Sequence, residues 1–214
     1  MIRFLPVLLG LLLPLSAPAM PDAAPVAGED YVLIDGGQPY QPLAGKIEVV
    51  EVFGYWCHHC AEFQPQVEAW KQKLPADVRF TYVPAVFSDD DPFARAYFAA
   101  ADAGALGRTH DALFRAIHDD HILATNATID EIAWFYGEHG LVPAKMKVAM
   151  TSAATTARLQ QAREFALRSG VEGTPSLVIN GRYRVRGRTH EDTLRIASQL
   201  IAQLRGARAA VPHS

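Results

Sequence analysis

The two cysteines of this chain lie three residues apart, and their position constrains the fold more than any other feature. Cys57 and Cys60 belong to one Trp-Cys-His-His-Cys motif, over residues 56–60. Residues 46–53 are rich in β-branched side chains and predict a strand, whereas residues 57–74 predict a helix that ends before a proline. A disulfide across so short a ring stabilises a fold by about 2 kcal/mol, against about 4.7 kcal/mol for a loop of ~100 residues. The pair is therefore expected to serve redox chemistry rather than stability.

A helix that begins at Cys57 provides what a disulfide exchanger needs. Free thiols have a pKa of about 8.5 and stay mostly protonated at neutral pH, whereas the unpaired N–H groups of a helix N-terminus favour a thiolate. Cys60 lies one helical turn further on, where it can close a disulfide and resolve a mixed disulfide. His58 and His59 are neighbouring donors that can become cationic and favour the thiolate further.

Zinc binding is the alternative interpretation of a Cys-x-x-Cys motif, because Cys57, Cys60 and a histidine could all be ligands. The second Cys-x-x-Cys pair of a structural zinc site is missing. The histidines between the two cysteines are also poorly placed to join both sulfurs on one tetrahedral ion. Another candidate metal site, the His-Asp-Asp-His segment at residues 118–121, is more simply interpreted as the exposed end of a helix. The sequence therefore predicts no metal and no cofactor.

Strand and helix patterns follow one another in the order of a thioredoxin-like fold. Strands are predicted at 31–34, 46–53 and 78–83. Helices follow at 92–103, 108–119, 129–139 and 144–169, the last of them broken near Thr151. Asn180-Gly181 indicates a hairpin between residues 176–179 and 183–185, and a final helix is predicted from Thr189 to about Leu204. The fold class is thus α/β, a thioredoxin-like domain over residues 31–86 and 156–205 with a helical insertion over residues 87–155.

Apolar residues of the insertion are interpreted as core. Trp134, Phe135 and Tyr136 are expected to be buried there. Met146 and Met150 lie one helical turn apart, and core packing is the preferred interpretation over a peptide-binding lip.

Both ends of the chain are predicted to lie outside the fold. Residues 1–19 combine a positive start, a short apolar run and small residues at the end, which is typical of a cleaved secretory signal peptide. The run is too short and too interrupted for a membrane anchor across about 30 Å of hydrocarbon. Residues 20–30 are expected to form a flexible lead-in and residues 206–214 a flexible tail. Export places the protein where disulfides persist, and a net charge of −3 gives no indication of a nucleic-acid partner.

Two segments of the sequence resemble a known family. The first is Glu-Val-Phe-Gly-Tyr-Trp-Cys-His-His-Cys at residues 51–60, followed by Phe63, and the second is Gly-Val-Glu-Gly-Thr-Pro-Ser-Leu-Val-Ile-Asn-Gly-Arg-Tyr at residues 170–183. They are similar to the active-site segment and the cis-proline loop of DsbA-type periplasmic dithiol oxidases. The resemblance extends from about Asp35 to Leu204 and implies a location in the periplasm.

The resemblance also implies a role for each matching residue. Cys57 corresponds to the exposed nucleophile and Cys60 to the buried resolving thiol. His59 corresponds to the family's histidine before the second cysteine. Pro175 corresponds to a cis-proline that faces the disulfide, and Thr174 before it offers its backbone to a substrate strand.

Further roles concern the surroundings of the thiols. Glu51 corresponds to a buried acid beneath the active site, a proton relay for Cys60. Its alternation with Val50 and Val52 leaves open that it is instead an exposed strand residue. Trp56 and His58 are expected to contact substrate, although Trp56 and the adjacent Tyr55 could instead only pack the start of the helix.

Three residues depart from the family pattern. His58 replaces a proline, which leaves the redox potential open. Tyr82 replaces a lysine near the buried acid of some members, which leaves the role of Glu51 open. Thr174 replaces a valine at a position that touches partners.

The function implied by the resemblance is disulfide donation to reduced, exported polypeptides. Reoxidation by a membrane oxidase of the DsbB type and a monomeric state are expected. The alternatives are a reductase or isomerase of the same compartment, or a non-catalytic binding module on the same fold. Isomerases of this compartment usually carry a separate dimerisation domain, for which the chain has no room, and a binding module has no need of both cysteines.

Overall fold

A computed structural model describes residues 23–88 and 90–210 and contains one mixed sheet of five strands. The strands run in the order β1-β5-β4-β2-β3. Strand β2 is parallel to β3 and antiparallel to β4, and the hairpin of β4 and β5 continues to β1. The strands are β1 Tyr31–Leu33, β2 Ile47–Phe53, β3 Val78–Pro84, β4 Ser176–Ile179 and β5 Tyr183–Val185. The predicted hairpin strands agree with the observed ones, and Asn180 and Gly181 both have the positive φ that its turn requires.

Seven helices cover the sheet within the described residues. Their bounds are α1 His58–Lys71, α2 Pro92–Asp102, α3 Leu106–His118, α4 Ile129–Glu138, α5 Pro143–Met150, α6 Ala153–Arg168 and α7 His190–Ala209. Alternate residues of β2 divide the core into two layers. Val49 packs with Phe63 of α1 and Leu200 of α7 on one face, whereas Val50 and Val52 belong to a cluster shared with α2 to α6. This is a thioredoxin-like fold with an inserted block of helices.

Local signals define the ends of the inserted helices. The Asp91 side chain accepts hydrogen bonds from the N–H groups of Phe93 and Ala94 and caps α2. Thr128 and Glu131 form a reciprocal capping box at α4. Helix α6 runs without a break across residue 155, where the sequence placed the end of the insertion. The division between domain and insertion therefore stays a prediction.

The two helices next to the strands differ from their predicted lengths. Helix α1 ends at Lys71 rather than Leu74, because residues 72–74 form a turn that leads into Pro75. Helix α7 continues past Leu204 to Ala209. Arg205 pairs with Asp77, and Arg208 donates to the carbonyl oxygens of residues 45 and 46. These contacts hold the last turns of α7, so the prediction of a flexible tail is wrong for residues 206–209.

The predicted lead-in and one aromatic residue of α4 differ from their predictions. The predicted lead-in makes defined contacts: Arg186 N–H donates to the Asp30 carbonyl, and the Arg186 side chain donates to that of Gly28, so residues 28–30 are not a free segment. Trp134 is 52% exposed, because it lies on the outer face of α4, and its predicted core position is wrong. Phe135 and Tyr136 are buried as predicted.

Met146 and Met150 are also buried in the core, which confirms their preferred interpretation. The predicted signal peptide, residues 1–19, lies outside the described residues. Within the described part of the chain, no helix has the length and apolar character needed to cross a membrane.

Candidate active site

Cys57 and Cys60 lie where strand β2 gives way to helix α1. Cys57 is the N-cap residue of α1, and its N–H donates to the Gly54 carbonyl at 3.1 Å. Cys57 is 8% exposed and Cys60 is fully buried, so only the first sulfur borders the surface. Both cysteines are free. The helix start places one thiol at the rim and the other beneath it, as the motif predicts.

The two thiols have opposite acidities. The pKa of Cys57 is lowered to about 5, and the largest cause is the hydrogen bond from the Cys60 thiol. Burial opposes this lowering. Hydrogen bonds from the Thr174 side chain and from the N–H groups of Cys60 and His59 lower the pKa further. Burial is the largest influence that raises the pKa of Cys60, and the neighbouring Cys57 raises it further. The pair is thus a thiolate at the surface and a protonated thiol inside.

The loop before β4 faces Cys57 from the other side. The Thr174–Pro175 bond is cis, as the resemblance implies. In its protonated form, the Cys57 thiol donates to the Thr174 carbonyl oxygen at 3.3 Å. Two residues after Thr174, β4 begins to pair with β2 at Ser176 and Val52. The fold therefore brings together two motifs that are 117 residues apart along the chain.

The two histidines of the motif point their rings at one carboxylate. His58 Nε2 lies 3.2 Å and His59 Nδ1 lies 3.3 Å from the two carboxylate oxygens of Glu62, and both rings are more than two-thirds exposed. The contribution of His59 to the acidity of Cys57 comes from its backbone N–H. In this structure the His59 ring pairs with Glu62, and the expectation that it favours the Cys57 thiolate stays a prediction.

Glu51 is buried beneath the thiols and is 1% exposed. Its interpretation as a buried acid is correct, because both faces of β2 are covered by packed side chains. Neither carboxylate oxygen has a hydrogen-bond partner in the described part of the chain. Burial raises the pKa of Glu51 to about 8; Lys71 opposes this rise, whereas Glu68 and Cys57 add to it. Glu51 is consequently a protonated acid at neutral pH.

Tyr82 is the partner of Glu51 on the adjacent strand β3. Its hydroxyl donates to Glu68 Oε1 at 2.8 Å and lies 3.1 Å from Gln64 Oε1. Lys71 donates to the same Glu68 oxygen at 2.6 Å. The sequence analysis did not single out Gln64, Glu68 or Lys71, although their spacing places them on one face of the helix that begins at Cys57.

The turn before Cys57 is held by side chains of the insertion. The Tyr55 hydroxyl and His110 Nδ1 are hydrogen-bonded at 2.6 Å, and His118 Nε2 donates to the Tyr55 carbonyl at 2.7 Å. The Asp91 carboxylate accepts a hydrogen bond from the Trp56 side chain. Tyr55 is 1% exposed, so of its two interpretations packing is the correct one. Trp56 is half-buried and packs against the exposed ring of Phe87.

His110 and His118 occupy one face of α3, four residues either side of Phe114, and this periodicity was a signal available in the sequence. Burial lowers the pKa of His110 to about 3, so the ring is neutral. Within residues 23–88 and 90–210, no group of three or more His, Cys, Asp or Glu side chains is arranged to hold a metal ion.

A surface thiolate, a buried thiol one helical turn away and a cis-proline loop opposite define a thiol:disulfide oxidoreductase of thioredoxin-like fold. The sequence model of the thioredoxin family matches residues 43–197. The chain belongs to the DsbA family of this superfamily. It is 36% identical to the thiol:disulfide interchange protein DsbA of Pseudomonas aeruginosa over 186 residues, which covers 85% of this chain and 86% of that protein. With DsbA of Azotobacter vinelandii the identity is 37% over 185 residues, 84% of this chain and 85% of the relative.

Solved structures agree with this assignment. The crystal structure of the oxidoreductase DsbA from Xylella fastidiosa superposes with a TM-score of 0.83 at 48% identity, covering 86% of this chain and all of that one. DsbA from Pseudomonas aeruginosa gives a TM-score of 0.79 at 34% identity, covering 86% of this chain and 96% of that one. The protein is accordingly an enzyme of thiol:disulfide interchange, a dithiol oxidase that introduces disulfide bonds. This family membership favours the oxidase over the reductase, isomerase and binding-module alternatives.

Proposed function

We propose that Cys57 exchanges with substrate and that Cys60 is the leaving and resolving sulfur. A substrate thiolate attacks the sulfur of Cys57, so that a substrate–Cys57 disulfide forms and the Cys57–Cys60 bond breaks. Cys60 leaves as a thiolate and takes up a proton. A second substrate thiolate then attacks the substrate sulfur, forms the new substrate disulfide and releases Cys57 as a thiolate. The partial accessibility of Cys57, 8% exposed against 0% for Cys60, supports this order.

The surroundings of Cys57 are assigned to substrate binding. Thr174 and Pro175 present the edge of a loop on which an extended polypeptide can pair through its backbone. Trp56 packs on Phe87 at the rim and offers an apolar surface next to the sulfur. The exposed ring of His58, the residue after Cys57, is assigned to the polar part of the same contact surface.

Glu51 is assigned to the protonation of Cys60. An acid that is neutral at physiological pH can donate a proton to a buried thiolate as it leaves. The burial of Glu51, its carboxyl group without a protein partner and its mutual electrostatic influence with the thiols support this role.

The cellular setting completes the proposal. The N-terminal pattern of a secretory signal peptide and membership of the DsbA family support a location in the periplasm. Reduced exported polypeptides are the substrates. Reduced enzyme would be reoxidised by a membrane oxidase of the DsbB type. We infer that the enzyme acts as a monomer.

The lowered pKa of Cys57 is the observation that carries the oxidising direction. A stabilised thiolate favours the reduced protein, which makes its disulfide a strong oxidant. Equilibration of the protein with glutathione at neutral pH tests this directly. We expect a midpoint potential less negative than about −200 mV, because thioredoxin-like reductants lie near about −270 mV. A potential near the thioredoxin value would contradict the oxidase.

Single-cysteine variants check the roles of the two sulfurs in the same experiment. Cys60→Ala is expected to accumulate a mixed disulfide with a polypeptide that contains a disulfide, because the Cys57 thiolate attacks that bond, one polypeptide sulfur leaves as a thiolate, and no resolving thiol remains to release the other. Cys57→Ala is expected to form none, since its remaining thiol is buried. Trapping of substrate by Cys57→Ala would reverse the assignment.

A further inference from the structure

Among the described residues, no group forms a hydrogen bond that would determine the charge state of Glu51, the proposed proton donor. Its carboxyl oxygens lack a partner among the described residues, and the side chain has almost no contact with solvent. Its proton affinity therefore depends on burial and on the charges that surround it.

The Lys71–Glu68 ion pair lies against Tyr82, the neighbour of Glu51 in the sheet. Tyr82 is the neighbour of Glu51 in the register of β2 and β3, so both side chains project from the same face of the sheet. The Lys71 ammonium lies 4.6 Å from the centre of the Tyr82 ring. Glu68 accepts from Lys71 at 2.6 Å and from the Tyr82 hydroxyl at 2.8 Å.

The pair is also tied to the helical insertion. Gln64 donates to Glu68 Oε1 at 3.1 Å and to Asp111 Oδ1 of α3 at 2.9 Å. Side chains of α1, β3 and α3 therefore hold Glu68 and Lys71 in a defined position, with about two-thirds or more of each side chain buried. Charges held in this way are screened less than those of a free surface pair.

We propose that the Lys71–Glu68 pair tunes the proton affinity of Glu51 and so sets the upper pH limit at which Cys60 receives its proton. Lys71 and Glu68 are positioning residues here, because they act on the carboxyl group and touch no reacting sulfur. This inference depends on the proposed role of Glu51 as the proton donor.

The proton balance shows where the pair acts. As the Cys57–Cys60 bond breaks, the Cys60 thiolate takes the proton of Glu51, and Glu51 becomes a buried carboxylate that later regains a proton from solvent. The Lys71 cation stabilises that carboxylate, whereas the Glu68 anion destabilises it. The two residues have these opposite influences on the pKa of Glu51.

Other titratable groups around Glu51 are few. On the side of α1 they are the two thiols and the ion pair itself. On the side of β3, α2 and α3 they are Tyr82, Tyr97 and His110. Burial keeps all three neutral, since it raises the pKa of the two tyrosines and lowers that of His110. Among the described residues, the groups that surround Glu51 are thus Cys57, Cys60, Glu68, Lys71, Tyr82, Tyr97 and His110.

A titration of Glu51 in the reduced protein tests the inference, followed by NMR of isotope-labelled glutamate carboxyl carbons and assigned with Glu51→Gln. Lys71→Met is expected to raise the titration midpoint by about one pH unit, and Glu68→Gln is expected to lower it. The double variant should return to within about 0.3 unit of the parent, because the two charges act in opposite directions. Lys73→Met and Glu164→Gln remove exposed charges from other positions and should leave the midpoint unchanged.

A second measurement separates this inference from the role of Glu51. The rate at which oxidised protein reacts with a reduced cysteine peptide, expressed per peptide thiolate, should fall above the Glu51 midpoint of the oxidised protein. Lys71→Met and Glu68→Gln should shift this fall in the same directions as they shift the titration. If Glu51→Gln alters this profile but the charge variants titrate like the two controls, the tuning by Lys71 and Glu68 is refuted and the proton donor stands. If the midpoints move as expected but Glu51→Gln leaves the profile unchanged, the proton donor itself is refuted.

Discussion

Thr174 acts on Cys57 through two different groups. Its carbonyl oxygen accepts from the thiol at 3.3 Å, and its side chain lowers the pKa of the same thiol. The resemblance implied that the Thr174 backbone is offered to a substrate strand and did not imply the contact with Cys57. The side-chain contribution is particular to a residue that carries a hydroxyl. A valine at this position would keep the first contact and lose the second.

Thr174→Val is therefore expected to raise the pKa of Cys57 by about one unit, because a hydrogen bond to the thiolate is lost. Thr174→Ser keeps the hydroxyl and should titrate like the parent protein. The ultraviolet absorbance of the thiolate, followed against pH, measures both variants. Equal pKa values for the valine and serine variants would show that the hydroxyl has no influence on Cys57.

At the scale of elements, helix α3 is a support for the turn that carries Cys57. His110 and His118 bind the two polar ends of Tyr55, and Phe114 packs on its ring with centroids 4.9 Å apart. Because Cys57 follows Tyr55 by two residues, the insertion helps to hold the sulfur over the N-terminus of α1.

His118→Ala is expected to release the Tyr55 carbonyl and to raise the pKa of Cys57 by about half a unit, a small part of the range that helix N-termini produce. His118→Gln can still donate an N–H and should restore the parent value. Thiolate titrations and urea melts of both variants separate the two effects. A loss of stability in His118→Ala without any change in the pKa would limit His118 to a structural role.

For the whole molecule, the acidity of Cys57 links redox state to stability. The pKa of Cys57 is about 5 in the folded reduced protein and about 8.5 in an unfolded chain. A lowered pKa stabilises the folded reduced form fully above the unfolded value, and this stabilisation is lost as the pH falls through about 5. The oxidised form has no such thiolate.

Urea melts of reduced and oxidised protein across this pH range should therefore show the reduced form gaining stability over the oxidised form as the pH rises. The comparison removes the titrations that both forms share. Cys57→Ser, which has neither the thiolate nor the disulfide, is the control and should lack this gain. A stability difference between the two forms that does not change with pH would contradict the link.

The sequence by itself determined the features that depend on a few neighbouring residues. The strand, the cysteine pair and the helix start follow from local pattern, and Asn180-Gly181 defines its hairpin because few other residues accept positive φ. The burial of Glu51 was implied by the resemblance and not by alternation along β2. The resemblance added the cis bond before Pro175, which no periodicity indicates.

Only the tertiary structure decided which distant groups act on the two sulfurs. Thr174 meets Cys57, Lys71 lies over the ring of Tyr82, and His118 binds the Tyr55 carbonyl, each across a gap in the chain. The extension of α7 to Ala209 has the same origin, because its last turns are held by contacts with residues 45, 46 and 77. Such contacts depend on how helices and strands pack, and packing is a property of the whole fold that no short segment encodes.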